Sequence, residues 1–79
     1  MAKRQVTLTF PPNLIKEPVI YTVAKQYNLI PNIRRANITE TVGYVTLEIE
    51  GNEEDLNAGL KVFSDKGAKV EPVTGDVVN

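Results

Sequence analysis

Between Val6 and Tyr27 the apolar residues change from one period to another. Val6, Leu8 and Phe10 alternate with Gln5, Thr7 and Thr9, the pattern of a strand with one buried face. Beyond Pro11 and Pro12 the apolar positions become Val19, Ile20, Val23, Ala24 and Tyr27, the stripe of a helix packed on one side. A strand that feeds a helix through a proline-bearing loop is half of a split β-α-β unit. The rest of the chain supplies the other half. Val45, Leu47 and Ile49 alternate with Tyr44, Thr46, Glu48 and Glu50, and Leu56, Gly59, Leu60 and Phe63 follow at helical spacing.

Local chemistry sets the expected boundaries. The first strand covers about Arg4 to Phe10, and the two prolines end its ladder by removing amide donors. The loop Pro12 to Lys16 follows, with Leu14 and Ile15 tucked over the end of the core. The first helix starts near Glu17, with Pro18 in its first turn and Asn28 as a left-handed C-terminal residue. Pro31 prevents its resumption. The second strand, about Asn32 to Thr39, alternates imperfectly. Ala36 and Ile38 look inward and Arg35 and Asn37 outward, which leaves Ile33 on the polar face and Arg34 on the apolar one. Either a bulge shifts the register near Arg34, or Arg34 sits at the end of the core with its head in water. A strand of this kind belongs at a sheet edge.

Gly43 suits the tight turn into the third strand, Tyr44 to Glu50. Asn52 is an N-cap, followed by Glu53, Glu54 and Asp55 in the first turn of a second helix that runs to about Lys66. Gly59, on the buried stripe, predicts a close helix–sheet contact, and Gly67 is the C-terminal glycine. The last strand, Lys69 to Val73, carries Pro72 and so lies at an edge. Residues 74–79 are expected to be a tail on a single domain, 1–79, with an ordered core over about 5–73. The order β-α-β-β-α-β predicts an α+β, ferredoxin-like sandwich. Right-handed crossovers then give an antiparallel sheet ordered 4-1-3-2, with two helices on one face.

At 79 residues such a core supplies roughly 3–5 kcal/mol of net stability. The chain has no cysteine and no histidine, so disulfides, thiolate or imidazole metal sites and the usual general base are absent. The support that remains is a second subunit, and a homodimer is expected. A net charge of −1 leaves no electrostatic footprint for nucleic acid, and the central strands lack the aromatic residues on which bases stack. No apolar run reaches the length of a membrane span, and the N-terminus lacks a secretory core, so no membrane insertion and a cytoplasmic location are expected. Glu53, Glu54 and Asp55 serve the helix dipole rather than a metal. The loop after the first strand has no glycine or arginine with which to cradle a phosphate. Ser64 has no base beside it. The residues therefore point to no enzyme and no cofactor.

Two features remain. Asn32, Ile33, Arg34 and Arg35 stand at the head of an edge strand, where an amide and a guanidinium could hold the polar ends of an amino acid; from spacing alone, a turn residue followed by edge-protecting charges is the favoured reading. Leu14 and Ile15 could line a pocket or plug the core.

Thr9-Phe10-Pro11, Ile15-Lys16-Glu17-Pro18-Val19-Ile20, Asn28-Leu29 and Asn32-Ile33 resemble the NIL domain. Ile38, the Gly43-initiated strand, Glu50-Gly51 and Gly67 extend the resemblance over about residues 5 to 73. It implies an ACT-like regulatory module of the kind found at the C-terminus of bacterial methionine importer ATPases, where paired domains bind methionine and restrain transport. It also implies that Asn32 occupies a ligand-binding position. No nucleotide-binding domain or phosphate loop is present in this chain. On that resemblance the chain is expected to be a homodimeric methionine-sensing module that reports to a transporter or other protein partner. Asn32 and Arg34 would then grip the ligand's polar end, with Phe10, Leu14, Ile15 and Ile33 around its side chain. The alternative is a protein-interaction module with no small ligand.

Overall fold

The structure is a computed structural model and describes residues 1–73; the expected tail, 74–79, lies outside the described residues. Its elements are β1 (Ala2–Phe10), α1 (Pro12–Ile15), α2 (Val19–Gln26), β2 (Ile30–Ile38), β3 (Gly43–Gly51), α3 (Glu53–Asp65) and β4 (Lys69–Pro72). All strand pairs are antiparallel, in the order β2-β3-β1-β4, which is the expected 4-1-3-2 sheet counted from its other edge. The longer helices α2 and α3 pack on one face.

Each boundary has a local cause. Pro11 is extended (φ −71°, ψ 165°) and Pro12 occupies the first helical position, so the segment expected as a loop closes one turn, α1, and buries Leu14. Proline at that position loses nothing, because the first-turn amides have no intrahelical partner. Helix α2 ends at Asn28, whose φ is +59°; the Leu29 amide then donates to the Ala24 carbonyl at 2.8 Å. Helix α3 ends alike, with Gly67 at φ +109° and the Ala68 amide donating to the Phe63 carbonyl at 3.0 Å. These are the backbone closures expected of left-handed C-terminal residues. At the start of α3 the Asn52 side chain accepts from the Asp55 amide at 2.9 Å.

The inward faces of β1 (Val6, Leu8, Phe10) and β3 (Val45, Leu47, Ile49) meet Val19, Val23, Leu56 and Phe63 from the helices, and all are buried. Phe10 and Phe63 stand edge to face, with centroids 6.4 Å apart. Gly59 makes its close approach to the neighbouring helix and the chain leaving it, not to the sheet. A Cβ there would lie 2.7 Å from Leu29 Cδ1 and 3.4 Å from Val23 Cγ1.

Strand β2 departs most from expectation. It begins at Ile30, not Asn32, and takes Pro31 into the ladder, which an edge strand tolerates when the missing donor faces outward. Its register against β3 shifts between Ile33 and Arg35, so the expected bulge is present and Arg34 is the extra residue. Ile33 pairs with Leu47, Ala36 with Val45 and Ile38 with Gly43. Those three residues therefore share the helix-bearing side, yet the whole strand is exposed. Ala36 and Ile38, expected to look inward, do lie on the helix side but stay uncovered.

Candidate functional site

At the C-terminal end of β1 the chain turns into α1 and then α2, and these three elements with the β2–β3 hairpin leave an open apolar cleft of about 140 Å³. Phe10, Leu14, Ile15 and Val19 line it from one side, and Ile38, Gly43 and Val45 from the hairpin. Glu17, Pro18, Ile20 and Tyr21 form the lip at the start of α2. The cleft's lining is apolar apart from Glu17 and the Tyr21 hydroxyl, which suits a short aliphatic or thioether side chain. The mouth between the first loop and the second strand is thus open.

A wider hollow continues along the edge between α2 and β2, walled by Ile20, Tyr21, Ala24, Lys25, Leu29, Pro31 and Ile33. Ile20 and Tyr21 belong to both, so the two hollows form one trough beside β2. Its outer wall is the exposed edge strand, on which Ile33 and Ile38 are 54% and 59% accessible.

The six residues singled out from sequence do not converge within one chain. Phe10, Leu14 and Ile15 share the cleft, and Ile33 lines the adjoining hollow. Asn32 pairs across the ladder with Glu48, and Arg34 Nη2 lies 3.6 Å from Glu48 Oε1. Both therefore lie on the open sheet face, opposite the cleft, since directly paired residues point to the same side. That face also carries the Thr7–Thr46 hydroxyl pair at 3.1 Å and the Lys69–Glu71 ion pair at 3.9 Å.

Sequence reasoning missed Ile38, Tyr21 and Glu17 as cleft residues. Ile38 was already expected to look inward, and what the sequence did not show is that it lines an open cleft; the bulge at Arg34 brings Ile33 to the same side. Tyr21 falls off the buried stripe of α2 and carried no signal. Glu17 marked only the start of a helix in the sequence. Among the described residues no group of acidic side chains could hold a metal ion, and no helix is long and apolar enough to cross a membrane.

Comparison with known proteins gives a consistent relationship. The model of the NIL domain family matches residues 4–72. The methionine import ATP-binding protein MetN 1 of Bacillus cereus (strain ATCC 10987 / NRS 248) is 31% identical over 70 residues, covering 84% of this chain and 20% of that protein. The methionine import ATP-binding protein MetN of Bacillus subtilis (strain 168) is 28% identical over 75 residues, covering 90% of this chain and 22% of that protein. The chain thus spans about a fifth of the length of these relatives. In fold it is similar to the C-terminal domain of an ABC transporter ATP-binding protein from Enterococcus faecalis. The TM-score is 0.80 at 19% identity, over 92% of this chain and 86% of that one.

Proposed function

This chain belongs to the NIL domain family, and from that premise we propose that it is a regulatory module that senses an amino acid, methionine, as a homodimer. It reports occupancy to a partner protein, a transporter ATPase being the first candidate, on the cytoplasmic side of a membrane. The relatives that carry the same domain are named methionine import ATP-binding proteins. The observation that carries the reading is the open apolar cleft at the end of β1, built from Phe10, Leu14 and Ile15. An apolar cleft with few polar groups at its lip is the usual place for a small ligand.

In this reading Phe10, Leu14, Ile15 and Ile33 receive the apolar side chain. The unpaired outer edge of β2, with Ile33 and Ile38 exposed beside the trough, is the surface a second copy would cover. Asn32 and Arg34, on the other face of the same strand, act at the seam of that pair. The module regulates and does not catalyse, since the cleft brings together no nucleophile and base.

Sedimentation equilibrium and thermal unfolding, each with and without millimolar methionine, test this. Methionine is expected to shift the population toward dimer and to raise the midpoint, by the ~2.7 kcal/mol that ligand at a hundred times Kd supplies. No heat in a calorimetric titration and no thermal shift at millimolar ligand would end the proposal. A second reading rests on the exposed β2 edge: a module that adds a partner's strand to its sheet. A stoichiometric partner retained by the Asn32→Ala variant, with methionine silent, favours that alternative.

A further inference from the structure

Asn32 and Arg34 face away from the cleft, so the polar group that addresses a ligand lodged there has to be sought elsewhere. Glu17 is the one charged side chain that lines it. Among the described residues its carboxylate is engaged in no ion pair, whereas Tyr21, the other polar residue of the lip, already accepts a hydrogen bond from Lys25 Nζ at 3.4 Å. The backbone at Glu17 is pinned on both sides. Its amide donates to the Leu14 carbonyl at 3.3 Å, and its carbonyl accepts from the Val19 amide at 2.8 Å. Pro18, with φ −79°, fixes the step into α2. The Glu17 backbone is thus fixed at the rim of an apolar hollow, with its side chain exposed there. The other charges nearby, Lys16 and Glu40, line the neighbouring hollow beside Pro12 and carry opposite signs.

We propose that Glu17 binds the ammonium group of the ligand and makes the cleft selective for small primary amines with a short apolar tail, α-amino acids among them. The inference rests on the reading of the cleft as the ligand site. An ammonium at the rim gains a charge-assisted contact with the carboxylate while its tail displaces water from Phe10, Leu14, Ile15 and Ile38. A carboxylic acid of the same length meets like charge at the rim and is disfavoured.

The test is an NMR titration of the full chain, isotopically labelled, with three probes: L-methionine, the amine left by removing its carboxyl group, and the acid left by removing its amino group. The amine and methionine are expected to shift the methyl resonances of Leu14, Ile15 and Ile38, and the desamino acid to leave them in place. Glu17→Gln, with an unchanged thermal midpoint, should weaken the amine by about tenfold, the loss expected for one hydrogen bond to a charged group. Equal binding of the desamino acid, or unchanged amine affinity in Glu17→Gln, overturns the inference. If methionine instead perturbs Asn32 and Arg34 and spares the cleft, the role of Glu17 falls while methionine sensing stands. If the amine binds at the cleft and methionine does not, Glu17 keeps its role and the choice of methionine falls.

Discussion

Replacing Gly59 with alanine sets two opposed effects against each other. Glycine inside a helix costs about 1 kcal/mol relative to alanine, so on propensity alone Gly59→Ala should stabilise α3. Packing opposes it. The new Cβ would stand 2.7 Å from Leu29 Cδ1, closer than a carbon–carbon contact permits, so Leu29 must move. A leucine tip in open space would swing aside cheaply, but Leu29 is confined on its other branch as well. Its Cδ2 lies 2.5 Å from where a Cβ on Gly51 would be. The two methyls of one buried leucine occupy the spaces left by two glycines, one on α3 and one at the end of β3. Rotation toward Gly51 meets strand backbone, and rotation outward uncovers apolar surface. Overpacking of this kind costs roughly 1–3 kcal/mol. Net of the propensity gain, Gly59→Ala should destabilise by about 1 kcal/mol, lowering the thermal midpoint by roughly 4–8 °C for a domain of this length.

The same geometry predicts a change of sign. Leu29→Ala alone should cost about 2–5 kcal/mol, the range for removing a buried leucine. In that background the obstruction is gone, and Gly59→Ala should recover about 1 kcal/mol. Urea unfolding of the wild type, both single variants and the double variant, compared at constant slope, gives the coupling directly. If Gly59→Ala stabilises the wild type, or if its effect is the same with and without Leu29, the wedge has no energetic role.

Two further outcomes follow from the structure. Asn52→Ala removes the side chain that accepts from the Asp55 amide and should cost about 1 kcal/mol, read as a lower thermal midpoint, while Asn52→Asp should keep nearly all of it. Ile38→Lys replaces an apolar residue that is already 59% accessible, so the isolated fold should change by less than about 0.5 kcal/mol; sedimentation equilibrium should show self-association lost, and unaltered association would free β2 from any part in pairing.

The order of elements was legible in the sequence because the two periods are clean where they matter. β3 alternates without a break, and the stripes of α2 and α3 are unmistakable. Asn28 and Gly67 marked the left-handed helix ends correctly because few residues accept positive φ. What was not legible depended on neighbours. Pro12 looked like a breaker, but after an extended Pro11 it starts a turn of helix instead. Pro31 looked like a barrier to β2, but a strand with one free edge has nowhere it must donate. Gly59 announced a close approach without saying to what, and its partner, Leu29, follows the helix and belongs to no stripe. Glu17 could be placed near a helix start from sequence, but only the fold brings Phe10, Leu14 and Ile38 around it.

The bulge at Arg34 decides how the candidate site is divided. Ile33 and Ile38 are an odd number of positions apart, so in a regular strand they would point to opposite faces. One inserted residue lets both face the helices, and each then walls one end of the trough beside α2. The same insertion places Arg34 and Arg35 consecutively on the open side, where Arg34 meets Glu48. A single extra residue thus keeps the charged groups of β2 out of the cleft and its isoleucines in it. That arrangement leaves Glu17 as the one charged side chain lining the cleft, and it leaves Ile33 and Ile38 exposed along the free edge of β2.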